Sequence, residues 1–304
     1  MKKLSILVFT LLLLLPFNIY AKSTSDATKE IDVSKKASLE IKYKYDDIAI
    51  NDISVRIYKV ASVSKDFQYT LTDSFKSYNV KINGLKTQNE LNSLSDTLES
   101  YIYADLIKET SNGVIKNNKI QFNELETGLY LVITDKIDEE KYNLVFESFL
   151  ISLPTLDENN EWIYNTSSEP KPVFYEPKYE EITYSVIKEW RDKEGKDRPN
   201  SVNIEIYKDG NKFDVVTLSS NNNWCYSWNA LDDGSVYTVV EREIPTDYTV
   251  SITKNETKFI VVNTKKEDNP PTLDNIYLYL ILFTCSFVGI VSLLLVLKNS
   301  EYNN

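Results

Sequence analysis

The chain has 304 residues, of which 45 are acidic and 34 basic, giving a net charge of −11. Such an acidic chain lacks the basic stripe expected of a nucleic-acid-binding protein. The absence of histidine removes the commonest general base and metal ligand. We therefore predict neither an enzyme nor a nucleic-acid-binding protein, and no cofactor or metal site.

The N-terminus has the pattern of a secretory signal peptide. Met1-Lys2-Lys3 is a short basic start, residues 4–17 are almost wholly apolar, and Ala21 is a small residue before a polar run. This order is typical of a cleaved signal, so we predict that residues 1–21 are removed. The alternative is an uncleaved membrane anchor.

The middle of the chain repeats an order of motifs. VRIYK at 55–59 precedes NELETGLYLV at 123–132, and IEIYK at 204–208 precedes NALDDGSVYTV at 229–239. The repeat predicts two related domains, and three prolines between them indicate an extended linker. The boundaries that we predict are 36–170 for the first domain, 171–180 for the Pro-rich linker and 181–265 for the second domain.

Both domains are predicted to be all-β. Ile182, Tyr184, Val186, Lys188 and Trp190 recur at every second position, which favours a half-buried strand. Residues 208–211 carry a hairpin turn signal. Short alternating strands with regular turns predict two tandem immunoglobulin-like β-sandwiches. The first has a helical insert, because Leu91, Leu94, Leu98 and Ile102 recur at helical spacing after Thr87. We expect this helix to pack on the sandwich.

Three polar residues of the second domain point toward an apolar face by strand parity: Lys188, Glu241 and Asn263. The apolar residues in phase with them are, respectively, Val186 and Trp190, Tyr237 and Val239, and Phe259 and Val261. Burying an unpaired charge is costly unless the group is neutralised or paired.

An apolar pocket lowers the pKa of a lysine and raises that of a glutamate. A neutral Lys188 amine could then attack the Asn263 carboxamide while Glu241 transfers protons, giving a Lys–Asn isopeptide bond. The alternative is that Lys188 reaches the edge of the domain and forms only a salt bridge with Glu241.

Six segments of the second domain resemble one family. They are VIKEW at 186–190, RPNSV at 198–202, NW at 223–224, YTVVE at 237–241, DY at 247–248 and FIVVNT at 259–264. In order and spacing, they are similar to the collagen-adhesin B-type (CnaB) family. The resemblance implies an isopeptide site formed by the Lys of the first strand, the Glu after Tyr-x-Val and the Asn of the last strand. These positions are Lys188, Glu241 and Asn263.

The first domain resembles the N-terminal sandwich of Gram-positive pilin subunits, through GLYLV at 128–132, SFLISLP at 148–154, WIY at 162–164 and Lys171-Pro172. It departs from the reactive pattern. Thr134 occupies the position of the Glu, and Lys42 and Lys44 lie out of phase with the apolar residues around them. We therefore expect no isopeptide bond built from the same three positions in this domain.

The C-terminus resembles a sorting signal. Asn269, Pro270, Pro271, Thr272 and Leu273 begin the segment 269–275, which is similar to a sortase motif of the Asn-Pro-x-Thr type. Residues 276–297 are apolar and long enough to span a bilayer, and 298–304 form a short cytoplasmic tail. Sortase would cleave after Thr272. The alternative is a membrane anchor preceded by a simple linker.

These features predict an extracellular protein of the cell wall or cell surface of a Gram-positive bacterium. Its partners would be sortase, peptidoglycan or a pilin subunit, and a host matrix or cell-surface ligand. Lys178 and Lys171 are the candidate lysines for polymerisation. We predict a minor, basal pilin-like subunit, and a stand-alone adhesin that offers a strand edge to its ligand is the alternative.

Overall fold

The computed structural model describes residues 30–266, except for 47, 140, 141, 194 and 197. The predicted signal peptide, sorting motif, membrane helix and cytoplasmic tail lie outside the described residues. No helix in the described part of the chain is long and apolar enough to cross a membrane. The described residues are mostly β-strand, as predicted, and contain one α-helix.

Residues 30–175, which we call the N-terminal region, contain thirteen strands and helix α1. In chain order they are β1 Ala37–Lys42, β2 Ser54–Val63, β3 Tyr69–Leu71, α1 Gln88–Asp105, β4 Ser111–Val114, β5 Lys119–Leu125, β6 Gly128–Thr134, β7 Ile137–Asp138, β8 Asn143–Phe146, β9 Phe149–Leu153, β10 Thr155–Leu156, β11 Trp162–Ile163, β12 Asn165–Ser168 and β13 Pro172–Tyr175.

Two sheets enclose the first core of the N-terminal region. One has the order β12-β1-β5, and the other has the order β3-β2-β6-β9 with β4 also paired to β2. Leu39 and Ile41 of β1 pack with Ile57 of β2 and Val132 of β6 between them. All seven residues of β6 are buried, which requires cover on both faces of its sheet.

Helix α1 provides the second cover. Its start at Thr87 agrees with the predicted polar start: the Thr87 hydroxyl accepts from Glu90 N, and the Glu90 carboxylate accepts from Thr87 N, a capping box. The helix ends at Leu106, which adopts a left-handed conformation with φ 51°. Leu94, Leu98 and Ile102 are buried along one face, as the helical spacing predicts.

Residues 181–265, which we call the C-terminal sandwich, contain seven strands and a short 3-10 helix, Ser220–Asn222. The strands are β14 Glu181–Arg191, β15 Ser201–Lys208, β16 Asn211–Ser219, β17 Cys225–Leu231, β18 Tyr237–Glu241, β19 Tyr248–Asn255 and β20 Lys258–Lys265. They form two sheets with the orders β17-β14-β20-β19 and β16-β15-β18. The edge strands β18 and β19 belong to different sheets.

The predicted alternation in β14 is observed: Tyr184, Val186 and Lys188 are buried, and the residues between them are more exposed. The predicted hairpin joins β15 to β16, with Lys208 paired to Asn211. Its two central residues, Asp209 and Gly210, have φ of 49° and 74°, which is the backbone of a type I′ turn.

The first half of the predicted linker differs from expectation. Residues 172–175 are not a free extended segment but form β13, which pairs antiparallel with β8. Pro172 fits this pairing because it is the first residue of an edge strand, where a missing N–H is tolerated. The linker between the last paired residue and β14 is therefore short.

Strands of the two regions form separate sheets, but the residues up to Thr264 make up one compact unit. One hydrophobic core contains Tyr58 and Leu131 of the N-terminal region, Leu98 of α1, and Val239 and Ile252 of the C-terminal sandwich. Helix α1 thus packs on its own sheet, as expected, and also on the second sandwich. The tandem-domain arrangement stays a prediction.

Candidate functional site

Three strands bring Lys188, Glu241 and Asn263 together. Lys188 lies on β14 and Asn263 on β20, and these strands pair in parallel with Lys188 opposite Val261 and Trp190 opposite Asn263. Asn263 is therefore two residues further along its strand than the position facing Lys188. Glu241 ends β18 in the other sheet. Strand parity predicts that all three point inward, and all three are buried.

The contacts between the three side chains run through the carboxylate. Lys188 Nζ lies 3.2 Å from Glu241 Oε2, and both side chains have no exposed surface. Asn263 Nδ2 donates to Glu241 Oε1 at 2.8 Å. Lys188 Nζ also donates to the backbone oxygens of Glu189 at 3.2 Å and Val261 at 3.4 Å. Asn263 Oδ1 is buried without a hydrogen-bond partner. A buried acceptor without a partner is costly, so the Asn263 amide oxygen is the least satisfied polar atom of the three side chains.

Burial shifts both titrating groups toward their neutral forms. Desolvation lowers the pKa of Lys188 to about 8, against the opposing effect of the Glu241 charge. Desolvation likewise raises the pKa of Glu241, although the Lys188 charge and the hydrogen bond from Asn263 act against it. A neutral amine is a nucleophile and a protonated carboxyl is an acid. The site therefore holds the groups needed for amide transfer.

Aromatic rings cover the amine. Lys188 Nζ lies 4.4 Å from the centre of the Trp190 ring, and Tyr248 meets that ring edge to face with 5.3 Å between centroids. Arg198, which forms an ion pair with Asp192, lies over the same ring at 5.8 Å. These rings exclude water from the amine. When the amine is charged, its ammonium group makes a cation–π interaction with the Trp190 ring.

One contact of the site was not predicted. Tyr101 of helix α1 donates its hydroxyl to the backbone oxygen of Glu241 at 3.0 Å, and the bond is buried. The two residues are 140 positions apart in sequence. Helical spacing predicts the buried face of α1, but no signal in the sequence indicates that this face meets the second sandwich.

The other predicted site residues lie apart from this cluster. Lys171 and Lys178 are exposed, and the backbone N of Lys178 donates to Asp232 Oδ2 at 3.2 Å. Exposure leaves both amines accessible to an enzyme. The sorting motif at 269–275 lies outside the described residues.

The strands and the buried Lys–Glu–Asn set define an immunoglobulin-like β-sandwich with a candidate cross-linking site. Residues 184–264 match the family model described as Cna protein B-type domain. The chain therefore contains a Cna B-type domain, and the predicted resemblance is confirmed for this part of the sequence.

Similar proteins include surface proteins of Gram-positive bacteria. A collagen adhesin of Staphylococcus aureus is 24% identical over 276 residues, which cover 82% of this chain and 22% of the relative. This chain thus spans about a fifth of the length of that relative. Neither the relative nor the family match indicates a catalytic family.

Solved structures give weaker likenesses. A single B repeat unit of the Staphylococcus aureus collagen-binding protein has 17% identity and a TM-score of 0.27, covering 76% of this chain and 98% of that one. The major pilin SpaD of Corynebacterium diphtheriae has 16% identity and a TM-score of 0.29, covering 78% of this chain and 66% of that one.

Proposed function

We propose that this chain is a cell-surface structural protein, a sortase-anchored pilin-like subunit with an autocatalytic isopeptide bond between Lys188 and Asn263. The observation that carries the proposal is the complete burial of Lys188 beside Glu241, which in turn accepts a hydrogen bond from Asn263. A surface location is supported by the match to the Cna B-type family and by the adhesin relative.

The reaction needs only these three side chains. The neutral Lys188 Nζ attacks Asn263 Cγ, and protonated Glu241 donates to the amide oxygen, which faces it once the amide rotates. Glu241 then carries a proton from Nζ to the departing nitrogen, and the Cγ–Nδ2 bond breaks. One amide bond forms, one breaks, and one ammonia leaves. Glu241 ends as it began, so it acts as an acid and a base.

The position of the bond suits a load-bearing role. The sandwich is entered at β14 and left at β20, and these strands are neighbours. Tension along the chain would otherwise be held by the hydrogen bonds between them. A covalent link between Lys188 and Asn263 would carry the load directly and leave the rest of the sandwich unstretched.

Attachment would use residues at the two ends of the Cna B-type domain. Sortase would cleave after Thr272 and join its carbonyl to an amine of peptidoglycan or of another pilin subunit. Lys171 or Lys178 would offer the amine if this chain accepts a further subunit. Both are exposed and lie before the sandwich, so a joined subunit would extend away from the anchored end.

The proposal is tested by the intact mass of residues 30–266. We expect a mass short by one ammonia, and the full mass in Glu241→Ala, because the acid and base is then missing. Glu243→Ala is the matched control: Glu243 is exposed just beyond β18, so this variant should still lose ammonia. A full mass in the unaltered chain would refute the isopeptide bond.

A stand-alone adhesin is the second candidate. Strand β16 is the edge of its sheet, and Phe213 and Val215 on it are each 49% exposed. An extended ligand could add to this edge. High-molecular-weight ladders in wall extracts would favour the pilin-like subunit, whereas a single wall-bound band with ligand binding would favour the adhesin.

A further inference from the structure

Strand β19 is the edge of its sheet, yet its outer edge is covered. Alternate N–H groups of an edge strand point away from the sheet, and those of β19 are bonded by the N-terminal region. The three hydrogen bonds run from Val250 N to Asn79 O at 2.8 Å, from Ile252 N to Thr97 Oγ1 at 2.7 Å and from Lys254 N to Asp96 Oδ2 at 3.1 Å. Two of these three acceptors are side chains of helix α1.

Thr97 links helix α1 to the edge of β19. It is fully buried, and its hydroxyl donates to Ser93 O in the preceding turn of the helix while accepting from Ile252 N. One turn before it, the Ser93 hydroxyl meets the Thr253 hydroxyl at 2.7 Å. A helix face that carries Ser93, Asp96 and Thr97 is polar where a helix packed only on its own sheet would be apolar. It matches the polar edge of β19.

The same helix also reaches the other sheet. Helix α1 contacts β18 as well as β19, so it spans the side of the sandwich where the two sheets end in unpaired strands. Glu241 is the last residue of β18 and has no exposed surface. Tyr101 donates to its backbone oxygen. The side of the sandwich that holds the carboxyl group is therefore closed by the N-terminal region.

We propose that helix α1 controls the cross-linking site: docking of its Thr97 and Tyr101 against β18 and β19 completes the water-free surroundings of Glu241, and the Lys188–Asn263 bond forms efficiently only in the docked state. The inference rests on the proposed function. Thr97 and Tyr101 are positioning residues in it, since neither touches Lys188 or Asn263 in the bonds described.

In the proposed reaction the Glu241 carboxyl group has to be protonated at neutral pH, and desolvation raises its pKa. The charged groups that act on the site are Lys188, which acts on Glu241, and Arg198 and Glu189, which act on Lys188. On the side of α1, Tyr101 interacts with Glu241 and also with Arg242, Tyr78 and Asp105. Undocking the helix would admit water to the carboxyl group, return its pKa toward the ordinary range and leave it ionised when Lys188 is ready to attack.

The test uses residues 30–266 with Thr97→Arg, which places a long charged side chain in the contact. Amide hydrogen exchange of Val250, Ile252 and Lys254 measures docking, and intact mass during refolding measures bond formation. We expect faster exchange and bond formation slower by about tenfold, which corresponds to about 1.4 kcal/mol in activation free energy. Asn92→Arg is the matched control, because Asn92 is exposed on the same helix and should behave as the unaltered chain does.

Milder variants separate positioning from folding. Tyr101→Phe removes only the hydroxyl that meets Glu241, and we expect the rate of bond formation to fall off at a lower pH than in the unaltered chain. Thr97→Ser keeps the hydroxyl acceptor, so both docking and the rate of bond formation should match those of the unaltered chain.

Rapid exchange in Thr97→Arg with an unchanged rate of bond formation would overturn the inference and leave the isopeptide bond standing. Unchanged exchange in Thr97→Arg would overturn it too, by showing that the edge does not depend on Thr97. A full mass in the unaltered chain would instead remove the bond itself, and the inference with it.

Discussion

Two clusters in this chain contain a lysine, a carboxylate and an asparagine. In the Cna B-type domain, Glu241 joins Lys188 and Asn263. In the N-terminal region, Lys136 Nζ lies 3.2 Å from Asp138 Oδ2, and the Asn143 amide, oriented to satisfy its partners, lies 2.7 Å from Asp138 Oδ1. The connections through the carboxylate are the same in both.

The clusters differ in their contact with water. The side chains of Lys188 and Glu241 have no exposed surface, whereas Asp138 is 63% exposed and Lys136 26%. Lys136 also donates to Gly234 O at 2.9 Å. Water therefore reaches the charged groups of the exposed cluster, whereas the amine and the carboxylate of the buried cluster are held away from it. The two clusters share their residue types and connections and differ in burial, so desolvation is the property on which the proposed bond between Lys188 and Asn263 depends.

The largest effect is expected from Lys188→Met, which removes the nucleophile but keeps an apolar side chain of similar length. We expect the full mass and a loss of about 4 kcal/mol in the free energy of unfolding, the chain-entropy value for a cross-link closing a loop of this size. Denaturant unfolding of residues 30–266, compared with the unaltered chain, measures it. A loss smaller than 1 kcal/mol, on the order of a single hydrogen bond, would show that the buried cluster contributes no cross-link.

A smaller effect is expected from pH in Asn263→Ala, where the lysine and the glutamate stay buried without a bond. Burial lowers the pKa of Lys188 from 10.5 to about 8, so between these values the unfolded chain binds more protons than the folded one. The free energy of unfolding should therefore rise with pH from about 8 to about 10.5. Denaturant midpoints measured across this range should increase.

A matched double variant, Asn263→Ala with Lys188→Met, shows how much of that pH dependence comes from the lysine. It lacks the titrating amine, so its stability should lose the rise between pH 8 and 10.5. If the rise persists without Lys188, another group is responsible and the burial of this amine is not what distinguishes the two clusters.

The smallest effect is expected from Lys136→Ala in the exposed cluster. Exposed ion pairs contribute about 0–1 kcal/mol, so the free energy of unfolding should change by about 0.5 kcal/mol or less. The intact mass should differ from that of the unaltered chain only by the substitution. A regained ammonia in Lys136→Ala would mean that the exposed cluster also cross-links, and the role given to desolvation would be wrong.

Local pattern was sufficient to predict the faces of the strands. Period-two alternation places Lys188, Glu241 and Asn263 inside, because parity depends only on neighbouring residues. The helix start at Thr87 and the turn at Asp209-Gly210 were predictable for the same reason: capping and turn chemistry act within a few residues.

Pairings between distant segments were not predictable in this way. Nothing near Thr97 indicates that its hydroxyl will accept from Ile252, 155 residues away, since the same side chain would suit a helix facing solvent. The three prolines around Pro172 predict an extended linker, because proline stiffens an extended chain, whereas an edge strand also tolerates proline at its first residue. In both cases the missing information is which surface the segment will meet.

The order in which the chain emerges determines how long the edge of β19 is left uncovered. An uncovered strand edge is a template for pairing with other chains and hence for aggregation. Helix α1 precedes β19 by more than a hundred residues in the sequence, so a chain that emerges N-terminus first presents the cover before the edge exists. Because domains emerging first also fold first, the edge meets its own helix at once, ahead of any neighbouring molecule.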